Sequence, residues 1–291
     1  MRLYLGVSAI ALTVHLTPAG GALADDRFTC WAPTVSQIAT AAADYWTDER
    51  KANARPEPES EPLDGSPFEL GKPLTDGDAE RAPIGEAPYK FGGKLFYTRD
   101  GDDYVASAQF VADDKIVIGA AHSLWKGGKA ATNIRFVQGY SNGGGTNYDI
   151  DMAAVLTEWT NISTNPVSLG KSQYDYAAMR TTKPSAVGRY DLGETGVDAA
   201  VTITGYPGRL EGGEYMYRET ATVILKAGNA YDARPHPMYG GGASGGAWFI
   251  GTGEPYKAVS VVSAGDQDGV YGPAFTQDTA DMVAYVKGGC N

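Results

Sequence analysis

Histidine and cysteine are scarce in this 291-residue chain: three histidines occur (His15, His122, His236) and two cysteines (Cys30, Cys290). They are scattered along the chain and form no Cys/His cluster of the kind that binds zinc. Asp100-Gly101-Asp102-Asp103 lacks the later bidentate glutamate of a calcium loop and is better explained as a hairpin turn, so no metal or other cofactor is expected. Basic residues are also in deficit, with 24 Lys and Arg against 35 Asp and Glu and a net charge of −11. Without a basic patch, phosphate-rich partners are excluded: no nucleic acid and no anionic membrane surface. Beyond residue 24 no apolar run approaches the ~20 residues that a bilayer span requires. Amphipathic helical periodicity is rare as well, which disfavours α/β folds.

The N-terminal end has the form of an export signal. Arg2 supplies the positive region, Leu3 to Leu16 the apolar run, and Ala22-Leu23-Ala24 a small-residue cleavage site. Residues 1–24 are therefore expected to be removed and the protein secreted, leaving Asp25 to Asn291 as a monomer with His122 and His236. Outside the cell an isolated cysteine pair most often forms one disulfide, here Cys30–Cys290, with two free thiols as the alternative. Closing so long a loop contributes up to roughly 5 kcal/mol in the chain-entropy picture. It would also keep the N-terminal piece tethered after a cut downstream of Cys30.

Residues 25–88 form an N-terminal extension or propeptide in this reading. Val35 to Lys51 carries alanines and an apolar scatter consistent with a short helix, and Arg55-Pro56-Glu57-Pro58-Glu59-Ser60-Glu61-Pro62 reads as an extended, solvated linker. From residue 89 the rhythm becomes short strands and turns. Leu95–Thr98 and Tyr104–Val111 flank the Asp100-Gly101 turn; Lys115–Gly119, Asn133–Tyr140, Asp149–Thr157 and Asp175–Arg180 follow, with Ser141–Gly145 as a flexible connection. Ala200–Gly205, Glu214–Ala227, Ala247–Ile250, Ala258–Ala264 and Val270–Phe275 form a second series. Thr276 to Lys287 closes the chain as a helix with Met282, Val283 and Val286 on one face. The expected fold is all-β: two packed six-stranded antiparallel barrels, about 89–190 and 191–275, with a C-terminal helix and an N-terminal extension.

Gly240-Gly241-Gly242-Ala243-Ser244-Gly245-Gly246 places a serine where unobstructed backbone N–H groups can bind an oxyanion. Gly242-x-Ser244-x-Gly246 also fits the nucleophile elbow of α/β-hydrolases, but that fold needs its histidine after the serine. A subtilisin order could draw on Asp113 or Asp114 before His122, yet it too needs an α/β fold. The remaining order is His122…Asp175…Ser244. His236, between two prolines and eight residues before Ser244, is the rival base and is expected on the cleft rim. Asp149 and Asp151 are alternatives to Asp175.

Ile118-Gly119-Ala120-Ala121-His122, Asp175-Tyr176-Ala177 and Gly242-Ala243-Ser244-Gly245-Gly246 together resemble the chymotrypsin-type (trypsin-like) serine peptidases. The likeness is to their bacterial secreted, glutamyl-endopeptidase-like branch, and it spans about Tyr89 to Val286. It implies a peptidase domain over 89–291 and a secreted serine endopeptidase acting on protein or peptide substrates. His122 would be the base, Asp175 its orienting carboxylate and Ser244 the nucleophile, with the Gly242 and Ser244 N–H groups as oxyanion hole. Met238, Tyr239, Ser263, Ala264 and Gly265 would line the primary pocket. Ala243 stands where many members carry aspartate, so activation by pairing with a freed N-terminal amine is excluded, and Ala247 replaces a common proline. Primary specificity stays open. The alternatives are a catalytically silent homologue acting as an extracellular binding module and an esterase without peptidase activity.

Overall fold

The computed structural model describes residues 25–33, 45–57, 79–163, 167–265 and 268–291. The expected signal, most of the expected Val35–Lys51 helix and the linker beyond Glu57 lie outside these residues.

Three short strands precede the barrels: β1 (Phe28–Trp31), β2 (Arg55–Pro56) and β3 (Glu80–Arg81). The first barrel begins with β4 (Gly92–Arg99) and β5 (Asp102–Phe110). Asp100 and Gly101 between them both take positive φ, 57° and 88°, the two-residue turn whose twist suits a hairpin. β6 (Ile116–Gly119) follows, then the small hairpin of β7 (Trp125–Lys126) and β8 (Lys129–Ala130), then β9 (Thr132–Ser141), β10 (Gly144–Leu156) and β11 (Ala177–Thr181). Pairing runs β4–β5–β6–β11–β10–β9 and returns to β4, antiparallel throughout, so six strands close on themselves. Closure removes exposed edges and encloses Leu95, Phe110, Phe136 and Tyr148, each at most 2 % exposed. Ser141–Gly145, expected to be flexible, is instead a tight turn: Asn142 and Gly143 have φ of 46° and 86°, the same Asn-Gly hairpin chemistry.

The second sheet contains β12 (Asp191–Leu192), β13 (Ala200–Gly205), β14 (Tyr217–Ala227), β15 (Ala230–Arg234), β16 (Ala247–Ile250), β17 (Lys257–Val261), β18 (Ala264–Gly265) and β19 (Val270–Pro273). Its main path is β17–β16–β13–β14–β15–β19. Phe275 N–H to the Val259 carbonyl (3.2 Å) and Ser263 N–H to the Tyr271 carbonyl (3.0 Å) join its ends. β15 was not expected; Gly228, at φ 59°, turns β14 back into it. Trp248, Tyr231, Val223 and Ile203 are fully buried inside this sheet.

Between the barrels Ile116, Ile118, Tyr190, Phe249 and Phe275 pack with Met282, Val283 and Val286 of the helix Gln277–Lys287. Thr276 and Thr279 form a reciprocal cap at its start, satisfying two otherwise orphaned donors. Among the described residues no helix is long and apolar enough to cross a membrane.

The described parts of the N-terminal segment are packed onto the barrels. All four residues of β1 pair with β10, and Cys30 is disulfide-bonded to Cys290. Trp46 is 3 % exposed, packs on Phe96 and donates its indole N–H to the Asn133 carbonyl at 2.6 Å. Arg55–Glu57 is extended as expected but is not a free linker: Arg55 and Pro56 pair in parallel with Tyr104 and Val105 of β5, and it is the Arg55 side chain that stays exposed.

Candidate active site

β6 pairs with β5 on one side and β11 on the other, in a register that sets Gly119 opposite both Ala108 and Ala177. His122 lies three residues after Gly119 and Asp175 two before Ala177, so the barrel itself brings them together. The His122 backbone N–H donates to Asp175 Oδ1 at 2.8 Å, and Nδ1 lies 2.8 Å from Oδ2. The Ser263 hydroxyl donates to the same Oδ2 at 2.5 Å. Asp175 is wholly buried. Because an ionised carboxylate only accepts, Nδ1 carries the imidazole proton and Nε2 is left as an acceptor. Burial disfavours the imidazolium, but the attraction of Asp175, its hydrogen bond and the nearby Glu57 outweigh it and hold the His122 pKa above its ordinary value. Arg99, itself buried, grips the carbonyls of His122 and Ser123 at 3.0 and 2.8 Å.

Ser244 sits in the turn from β15 to β16. Gly242 has φ 99°, and a Cβ there would lie 2.5 Å from the Tyr206 carbonyl; at Gly246 it would lie 1.8 Å from the Thr204 carbonyl. Only glycine fits either place. The turn is pinned across the barrels: Ser107 donates its N–H to the Ser244 carbonyl (2.8 Å) and its hydroxyl to the Gly242 carbonyl (2.7 Å). Gly245 N–H donates to Val262 (2.7 Å) and Gly246 N–H to Ala243 (2.9 Å). The N–H groups of Gly242 and Ser244 donate to no acceptor among the described residues. Two undirected N–H groups beside a hydroxyl are the elements of an oxyanion site. Among the described residues no hydrogen bond joins the Ser244 hydroxyl to His122.

The other sequence candidates are dispersed. Met238 is fully buried in the second-barrel core, and Tyr239 is half-buried with Arg209 4.3 Å over its ring. Ser263 touches Asp175, while Ala264 is half-buried and Gly265 exposed on β18. His236 is not on a rim: it is 2 % exposed, with Nδ1 2.6 Å from Glu219 Oε1. Glu219 Oε2 accepts the Met238 N–H at 2.8 Å. Asp149 and Asp151 are engaged by Arg135 and Arg180. Among the described residues no three His, Cys, Asp or Glu side chains could hold a metal ion.

Four residues near His122 carried no sequence signal. Glu57 lies beside Arg99 (2.5 Å), Lys126 (2.6 Å) and the Tyr97 hydroxyl (3.3 Å). Its pKa is lowered: burial pushes it up, but His122, Arg99 and Lys126 pull it down further.

Solved structures similar to this one include serine proteases and an inactivated protease paralogue from the scabies mite. The protease Anisep from Arthrobacter nicotinovorans matches with a TM-score of 0.59 and 28% identity, over 71% of this chain and 99% of its own. The chain has the chymotrypsin-like serine protease fold. Two further proteases share its fold at lower identity. A thermostable serine protease, AL20, from an extremophilic microorganism has a TM-score of 0.58 at 22% identity, covering 68% of this chain and 96% of its own. A Glu endopeptidase has a TM-score of 0.60 at 17% identity, covering 75% and 100%. No family model and no curated protein sequence matches the chain.

Proposed function

We propose that the protein is a secreted serine endopeptidase that hydrolyses peptide bonds through Ser244, His122 and Asp175. Residues 1–24 would direct export, and residues 89–291 would form the peptidase domain, with 25–88 as its N-terminal extension. The observation that carries this function is the use of both Asp175 oxygens on His122, which selects the tautomer of the neutral imidazole that leaves Nε2 as the base. Ser244 Oγ then attacks the substrate carbonyl carbon while Nε2 takes its proton. The carbonyl oxygen becomes an anion, for which the N–H groups of Gly242 and Ser244 are available; one such donor is worth about 10²–10³ in kcat. Collapse breaks the C–N bond as the imidazolium returns its proton to the leaving amine. Water, deprotonated by the same nitrogen, attacks the acyl ester, releases the acid and restores Ser244.

The second function, a silent homologue serving as a binding module, draws on the missing Ser244–His122 hydrogen bond. Such bonds often tighten only when substrate is present, so the gap alone does not favour silence. Fluorophosphonate labelling separates the two. The wild-type protein is expected to take up one probe on Ser244, Ser244→Ala none, and His122→Ala very little. A wild-type protein that stays unlabelled would leave the binding module as the better account.

A further inference from the structure

Glu57 is the acid that meets Arg99 among the described residues, and its side chain is 13 % exposed against 5 % for Arg99. Lys126, at 34 %, reaches the same Oε1. Tyr97 closes the other side with its hydroxyl towards Oε2, and it is fully buried. Buried cations are retained in proteins when paired, and removing the partner leaves a costly bare charge. Arg99 cannot turn away, because it also holds the carbonyls of His122 and Ser123. The pocket is therefore built to hold a carboxylate whether or not Glu57 is the one in it.

The backbone bearing Glu57 crosses to the serine side. A Cβ on Gly241 would lie 2.7 Å from the Glu57 carbonyl oxygen and 2.8 Å from Pro56 Cβ, and one on Gly242 would lie 3.6 Å from Pro56 Cγ. Arg55–Glu57 thus touches the nucleophile turn with its backbone and the His122 side with its carboxylate. It bridges the Gly241–Gly242 turn of the second barrel and the Arg99–Lys126 side of the first.

We infer that Tyr97, Arg99 and Lys126 form a carboxylate subsite of the cleft, filled here by the chain's own Glu57, which latches Arg55–Glu57 across the site. When that segment leaves, the subsite takes an acidic side chain of the peptide substrate. This inference rests on the proposed peptidase function. The three subsite residues come from the first barrel, whereas Met238 and Ser263–Gly265 come from the second, so the acidic preference is independent of the residue in the primary pocket.

The test uses the full chain with Glu57→Gln, which keeps the shape and removes the charge. Glu57→Gln is expected to label with fluorophosphonate about tenfold faster than wild type, as expected when a charge-assisted contact is lost. It should also cleave quenched peptides carrying Glu near the scissile bond at least about tenfold better than their Gln counterparts. Adding Lys126→Gln should erase that preference. Labelling at the wild-type rate with no Glu preference would overturn the inference and leave the peptidase function standing. If no variant labels, the peptidase function fails instead. Calorimetry with acetyl-Ala-Arg-Pro-Glu-Pro-amide on Glu57→Gln then decides the subsite: binding lost with Lys126→Gln upholds it, and no binding overturns it.

Discussion

Replacing Asp175 by asparagine changes one atom in the group that orients His122. Oδ1 receives the His122 backbone N–H at 2.8 Å; Oδ2 receives Nδ1–H at 2.8 Å and the Ser263 hydroxyl at 2.5 Å. An amide of the same shape has one oxygen for these two places. The backbone N–H can only donate, so the oxygen stays opposite it and the NH₂ turns to Nδ1 and Ser263. Ser263 can rotate and accept. The imidazole can accept at Nδ1 only by moving its proton to Nε2, and a protonated Nε2 cannot take the proton of Ser244. The expected loss is about 10⁴ in kcat with the fold retained, or about 5.5 kcal/mol of barrier. Peptide hydrolysis gives the rate, and ¹⁵N resonances of the imidazole show which nitrogen is protonated. A variant within about tenfold of wild type, or one that keeps its proton on Nδ1, would refute the reasoning.

Four further outcomes are expected. The pKa of His122 is raised in the folded protein, and only the neutral imidazole acts as base, so kcat/KM should fall on acidification from a pH above the ordinary imidazole value. Glu57 favours the imidazolium, so Glu57→Gln should move that acid limb to lower pH; a limb that stays put would contradict the coupling. Cys30→Ser with Cys290→Ser should remove up to about 5 kcal/mol of stability, the entropy of an unclosed loop, measured by urea unfolding against the oxidised protein. Trp46→Ala should cost about 3–5 kcal/mol by the same assay, since the ring is buried and its N–H is bonded; a loss below about 1 kcal/mol would show that this segment is dispensable to the fold.

The barrels were legible because each strand carries its own punctuation. Asp100-Gly101 marked the first hairpin, and the apolar stripe of Met282, Val283 and Val286 marked the last helix. Asn142-Gly143 carried the same turn signal but was masked by the glycines that follow it. β15 was missed because Ala230–Arg234 is short and mixes charge with apolar residues, its burial coming from β14 and β19 on either side. His122 and Asp175 could be named from local motifs, and the register of β6 with β11 explains why they meet. Ser263 was named as a pocket residue, and nothing in its local sequence marked the bond that its hydroxyl makes to Asp175. Glu57 was illegible for a deeper reason: in a run of Pro and Glu, nothing local distinguishes the glutamate that meets a buried arginine from the others in the run.

The two ends of the described chain are clasped to each other. Arg27 bridges to Asp278 and Asp281, the Phe28 and Tyr285 rings lie 5.5 Å apart, and Cys30 is bonded to Cys290. A pulling force applied through residues 25 and 291 would be borne first by this clasp and, while the disulfide holds, would bypass both barrels. The molecule under tension is a closed ring with two short tails, and only a reductant would let the load reach the cleft.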